Sequence, residues 1–166
     1  MVNTLCALTE QEIIIHLADW LDIRRFPFQM PRSFIYSWES DYWTMQADGI
    51  TREYEIKISR SDYFKDRLKE KHSTPEAGAN FFYYVCPKDL IKKEEVDPKY
   101  GLIYVNEWGS CTMVKRPLKL HARLYDDWKS LAIRMYWKWY KLWNEKYKRK
   151  EITRDDYLEA LKNLNI

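Results

Sequence analysis

The stretch Asp41-Tyr42-Trp43-Thr44-Met45-Gln46-Ala47-Asp48-Gly49-Ile50-Thr51-Arg52-Glu53-Tyr54-Glu55-Ile56-Lys57-Ile58 decides how the rest of the chain is read. Aromatic and β-branched residues flank an Asp-Gly dipeptide, a strong hairpin signal. Residues two apart on a strand share a face, so Glu53, Glu55 and Lys57 lie on one side and Tyr54, Ile56 and Ile58 on the other. A three-residue loop of Ala47, Asp48 and Gly49 sets Asp41 opposite Glu55 on one face. A two-residue turn would slip the register and part them. The reading therefore requires Gly49 in a left-handed conformation. Asp48 also precedes the Glu-x-Lys, but it lies about 20 Å from Glu55 at strand spacing, and it is read as a turn residue.

Two carboxylates beside an ammonium are what a metal-dependent phosphodiester hydrolase needs. Asp41 and Glu55 are the expected ligands of Mg²⁺ or Mn²⁺, hard cations that prefer carboxylate oxygens and keep waters. Lys57 is expected to orient the attacking water, help deprotonate it and stabilise the developing negative charge. Glu39 is a candidate additional carboxylate on the same face, if the strand starts early. The alternative for Glu55 and Lys57 is an exposed strand carrying an ion pair.

At 166 residues the chain suits one domain with a real core and an appendage, and its 8 Trp and 13 Tyr argue against disorder. No run is long and apolar enough to cross a bilayer, and the N-terminus does not read as a signal peptide. Cys6, Cys86 and Cys111 match neither a zinc site nor a disulfide framework, which fits a reducing cytoplasm. Residues 1–114 hold 14 basic and 18 acidic side chains, whereas residues 115–150 hold 12 and 3. A basic C-terminal segment beside an acidic body fits a polyanion partner or, as simply, a solvated Lys-rich helix face.

Thr9-Glu10-Gln11-Glu12 has the form of a capping box and opens a helix carrying Ile13, Ile14, Leu17, Trp20 and Leu21. Pro27 and Pro31 close it off, and Phe34-Ile35-Tyr36-Ser37-Trp38 reads as the first strand. Ser59 and Ser61 are N-cap candidates for a helix through about Lys71. Phe81–Cys86 reads as a strand buried on both faces, and Pro87 as the start of a short helix through Ile91. Leu102–Val105 and Cys111–Val114 are two further strands. A long helix is expected from about Leu118 to Tyr147, with a stripe of Leu124, Trp128, Leu131, Met135, Trp139 and Leu142. Thr153 caps a short last helix. Strands alternating with helices give an α/β fold around a mixed sheet, divided as 1–117 and 118–166.

These residues resemble the PD-(D/E)XK nuclease superfamily, with its restriction-endonuclease-like fold: a mixed central sheet flanked by helices. The string Glu55-Ile56-Lys57-Ile58-Ser59-Arg60-Ser61-Asp62-Tyr63-Phe64-x-Asp66 is similar to MmcB-like DNA-repair endonucleases and related phage proteins. Phe82–Pro87 followed by Gly101–Tyr104 extends the likeness, which covers residues 8–125. Ser40-Asp41 stands where the superfamily name implies Pro-Asp. The resemblance implies Asp41, Glu55 and Lys57 as catalytic residues, the Ile56 carbonyl as a further metal ligand, and a carboxylate on the first helix, for which Glu12 is the candidate. Ser59, Arg60, Ser61, Lys69 and Lys71 are candidate nucleic-acid contacts, with His72 beside them.

The expected function is Mg²⁺-dependent DNA hydrolysis in DNA repair or in phage or bacterial DNA metabolism, with DNA as partner and no membrane. Two alternatives stand beside it. One is a catalytically silent nucleic-acid-binding protein of the same fold. The other is a scaffold acting through the C-terminal helix, where Trp137, Tyr140 and Trp143 widen the apolar face enough for a homodimer.

Overall fold

In the computed structural model, which describes residues 8–163, the Thr9 side chain accepts from the Glu12 backbone N–H and Glu12 reciprocates. This closed capping box starts α1 (Glu10–Trp20), whose Ile13, Ile14 and Leu17 are buried. Cys6 lies outside the described residues.

Six strands follow: β1 (Phe28–Ser33), β2 (Ser40–Met45), β3 (Thr51–Ile56), β4 (Phe81–Pro87), β5 (Gly101–Val105) and β6 (Cys111–Lys115). They lie side by side in chain order, with β3, β4 and β5 parallel and the outer pairs antiparallel. The link from β3 to β4 carries α2 (Arg60–Asp66), and two longer helices, α3 (Trp128–Lys148) and α4 (Arg154–Asn163), end the chain. The protein is α/β, with a mixed central sheet, flanking helices and a long C-terminal helix.

The hairpin has the required register. Tyr42 pairs with Tyr54 and Met45 with Thr51, while Gln46 N–H donates to the Ile50 carbonyl at 2.9 Å to close the loop. Gly49 has φ +87°, and Asp48 is the turn residue, its Oδ1 accepting from Ile50 N–H at 3.1 Å. A Cβ at Gly49 would also stand 2.9 Å from the Tyr125 carbonyl oxygen. Gly49→Ala is therefore expected to destabilise the protein by about 1–3 kcal/mol, read as a lower urea midpoint with an unchanged m-value.

Each face of the sheet has its own core. On one, Tyr42, Tyr54, Ile56, Val85, Ile103 and Val105 pack against α1. On the other, Phe82, Tyr84, Cys86 and Leu102 meet Tyr63 of α2 and Ile91, Val96 and Tyr100 from the β4–β5 crossover. Burying a side chain such as Leu17 or Ile103, both fully buried, stabilises by about 1.5–3 kcal/mol. β3 and β4 lie in the middle of the sheet.

Four sequence expectations are corrected. The first strand is Phe28–Ser33, not 34–38. Pro31 is tolerated there because β1 is an edge strand, where a missing N–H leaves no ladder bond unmade. Residues 34–39 instead bend inward so that Tyr36 bonds Trp43 and Thr51, and Trp38 bonds Glu53. The helix after Ser59 stops at Asp66, because the following residues turn to bring Lys69 and Lys71 onto buried carboxylates. Pro87 ends a strand rather than starting a helix.

Finally, the long helix begins at Trp128 rather than Leu118. The preceding stretch runs extended and is claimed by hydrogen bonds: Leu120 N–H to the Asn80 carbonyl and Tyr125 N–H to the Gly49 carbonyl, both at 2.9 Å. The buried Asn80 side chain donates to the carbonyls of His121 and Arg123 and accepts from Thr51 N–H. The residues up to Asp126 therefore form one compact unit and those from Asp127 on a second, a boundary later than 117. In the second unit Leu131 is buried, and Trp128, Trp137, Tyr140 and Leu142 are exposed. Leu124, assigned to the helical stripe, lies on the extended segment.

Candidate active site

The β3 face that carries Glu53, Glu55 and Lys57 is where charge collects. Lys57 follows the last residue of β3, held by its N–H to the Val85 carbonyl at 2.9 Å. Its Nζ lies 2.8 Å from Glu55 Oε1, with both side chains almost wholly buried. Burial disfavours the ammonium, but the charges of Glu55, Asp66 and Asp62 more than offset this and raise its pKa.

Asp41 lies one step beyond the Tyr42–Tyr54 pair, in the position facing Glu55. Its Oδ2 accepts from the Ile56 backbone N–H at 2.8 Å, so the carboxylate is bonded to the backbone of the residue whose carbonyl the resemblance singles out. Burial and then repulsion from Glu55 push the Asp41 carboxyl up to about 6. Among the described residues Asp41 forms no ion pair, and Lys57 acts on it only at longer range.

Two buried carboxylates outside the expected set dominate the electrostatics, and a third acid acts weakly from α1. Asp66, on the inner side of α2, is fully buried and meets Lys69 at 2.7 Å, Lys57 at 3.4 Å and Lys71 at 3.5 Å. Its Oδ2 also faces His72 Nε2 at 2.9 Å and accepts from the Tyr84 hydroxyl at 3.0 Å. Burial alone would raise its pKa, but these bonds and charges hold it far below the usual carboxylate range. Glu53 is also buried. It accepts from Trp38 Nε1 at 2.9 Å, and desolvation pushes its carboxyl up to about 7, with Lys71 opposing. Glu10, paired with Arg32 at 2.9 Å, is the α1 acid whose charge reaches Asp41.

The helical spacing of Tyr63 and Asp66, three apart and both buried, is the sequence signal that marks Asp66 as inward-facing. Glu53 carried its signal in the alternation of β3.

Several candidates have other occupations. Glu12 is exposed and committed to the capping box. Glu39 is exposed just before β2. Ser59 caps α2 and lies 3.1 Å from Ser61 Oγ. Arg60 pins the β4–β5 crossover through Glu95 and the Leu90 carbonyl. Lys71 turns inward, its Nζ 2.6 Å from Glu55 Oε2 with a side chain only 6% exposed; Lys69 is 54% exposed and still faces solvent.

No group of three or more His, Cys, Asp or Glu is arranged to hold a metal among the described residues. The donor set is smaller: Asp41, Glu55 and the peptide of Ile56. These donors are of the type that Mg²⁺ takes, one or two carboxylates beside several waters, and both Glu55 oxygens are already bonded to lysines. The raised carboxyl of Asp41, beside Glu55 and without an ion-pair partner, is what such a cation would relieve.

No protein-family profile matches the chain, and no curated protein matches it. Among solved structures, the SPO1766 protein of unknown function from Silicibacter pomeroyi aligns with a TM-score of 0.62 at 14% identity, covering 89% of this chain and 97% of that one. That likeness is one of fold. No helix is long and apolar enough to cross a membrane among the described residues.

Proposed function

We propose that this protein is a divalent-metal-dependent nuclease of the PD-(D/E)XK, restriction-endonuclease-like type, acting on DNA in repair or in phage or bacterial DNA metabolism. The observation that carries the reading is the juxtaposition at the open end of the β2–β3 ribbon. There Asp41 faces Glu55, and Lys57 Nζ lies 2.8 Å from Glu55 Oε1.

In this reading Asp41 and Glu55, with the Ile56 carbonyl, would hold Mg²⁺ or Mn²⁺, which would supply charge neutralisation at the scissile phosphate and a more acidic water. Lys57, kept charged by three carboxylates, orients the attacking water and stabilises charge building on the phosphate oxygens. Asp66 and Lys71 are positioning residues that hold Lys57 and Glu55. Lys69, half exposed beside them, is available to a phosphate of the backbone.

A second reading, DNA binding without cleavage, is favoured by one observation: both Glu55 oxygens already face lysines. Incubation with supercoiled, linear and single-stranded DNA in Mg²⁺, Mn²⁺ or EDTA separates the two. Cutting is expected in either metal and not in EDTA, and Asp41→Asn is expected to slow it at least about a hundredfold, near 2.7 kcal/mol. Salt-sensitive binding without cutting would leave only the second reading.

A further inference from the structure

The opposite face of the sheet carries a second feature, unrelated to the carboxylate cluster. The sheet has six strands, but α1 spans only 11 residues and leaves part of this face uncovered. Beyond its end the segment after Trp20 rims an open cavity of about 510 Å³ floored by Arg52, Tyr54, Tyr83 and Ile103. That is a ligand-sized volume.

Its chemistry is cationic and aromatic. Arg25, Arg52 and Arg116 all line it, against a single acid, Asp22, which is engaged by Arg24 Nε at 3.2 Å. No ion pair is formed by any of the three arginines among the described residues. Arg52 matters most, because it is only 8% exposed and a buried charge normally has a counter-charge. Its guanidinium lies instead over two rings, 4.7 Å from the centre of Phe26 and 5.1 Å from that of Phe81. Nη1 donates to Gln46 Oε1 at 3.0 Å.

The two rings, the Gln46 amide and the Tyr83 hydroxyl hold the guanidinium at the wall of the cavity. That is the preorganised form in which arginine recognises phosphate. The fields of Arg52, Arg25 and Arg116 converge on the Tyr83 hydroxyl, where they oppose the rise that burial causes. Tyr83 itself stacks on Tyr54 at 5.0 Å, so the floor is rigid. Trp20 also lines the cavity and is 40% exposed, which leaves an indole for a planar ring to pack on.

We propose that this cavity is a nucleoside-phosphate site, with the phosphate on Arg52, Arg25 and Arg116 and the base against Trp20. The site is independent of the nuclease reading, because it lies across the sheet from Glu55 and uses none of its residues.

Calorimetric titration with AMP, inorganic phosphate and adenosine, all in EDTA, tests the assignment. AMP is expected to bind saturably in the micromolar to submillimolar range. Phosphate is expected to bind more weakly, and adenosine not at all at ten times the AMP concentration. Arg25→Gln and Arg116→Gln, both at exposed positions and so harmless to folding, are each expected to weaken AMP about tenfold. Asp41→Asn is expected to leave AMP binding unchanged. No heat with AMP, equal binding of adenosine, or indifference to both arginine variants would overturn the proposal. Phosphate binding as tightly as AMP would overturn the assignment of a nucleoside.

Discussion

Asp66→Ala is expected to cost about 3–5 kcal/mol of folding stability. The figure is that of removing one member of a buried, hydrogen-bonded charge group and leaving its partners uncompensated. Here the partners are unusually many: Lys57, Lys69 and Lys71, the His72 ring and the Tyr84 hydroxyl all converge on one carboxylate with no solvent exposure. Three ammonium groups would then share Glu55, with only the half-exposed Asp62 left beside Lys57 and Glu53 already hard to ionise. Asp66→Asn keeps an acceptor for Tyr84 but removes the charge, and an intermediate loss is expected. Urea denaturation at neutral pH measures both. A loss below about 1 kcal/mol for the alanine variant would mean that the cluster does not hold α2 to the sheet.

Glu53→Gln is expected to act with the opposite sign and to change how stability follows pH. The folded carboxyl is pushed up to about 7 from an ordinary 4.5. Between those values the native state keeps a proton that the unfolded chain has released. Stability therefore falls as pH rises through that window, by roughly 3 kcal/mol if the whole shift is expressed. Asp41, at about 6 against 3.8, adds a fall of the same sign slightly lower on the pH scale. Asp66 works the other way, and its contribution is lost only as pH drops below its ordinary 3.8.

The wild-type optimum is therefore expected near pH 4–5, lower than the common range. The amide of the Glu53→Gln variant keeps the acceptor for Trp38 Nε1 and has no proton to release. The variant is expected to lose much of the slope between about pH 5 and 7 and to exceed the wild type above about pH 7. Denaturation midpoints taken across pH 4–8 settle the point. A variant that parallels the wild type throughout would refute the assignment of Glu53 as the titrating group.

What the sequence made legible was local. Asp48-Gly49 between β-rich flanks is enough for the hairpin, and the alternation of β3 is enough to put Glu55 and Lys57 on one face. The apolar run Phe81–Cys86 is enough for a central strand. What it hid depended on partners far along the chain. Pro31 reads as a terminator until β1 is known to be an edge. Residues 118–127 read as helix because nothing nearby shows that Asn80 and Gly49 will claim their backbone groups. Lys69 and Lys71 read as surface cations, yet they follow Asp66 closely enough to turn back onto it. At the candidate site Asp41, Glu55 and Lys57 are legible from spacing and resemblance, whereas the string that contains Asp66 does not show that three lysines, His72 and Tyr84 converge on it.

The clasp made by Asn80 and Gly49 also bears on the order in which the chain can fold during synthesis. The hairpin is complete by Ile56, but its loop and the first residue of β3 are tied by bonds reaching to Asn80 and, beyond it, to Tyr125. A nascent chain that has emerged only as far as β6 has every strand of the sheet, while Asn80 Nδ2 and the Gly49 carbonyl still await their partners. The sheet domain therefore cannot reach its final state until the ten residues from Arg116 to Tyr125 have also left the ribosome, and nascent chains stalled with Tyr125 still inside the exit tunnel or already outside it should divide into protease-sensitive and protease-resistant.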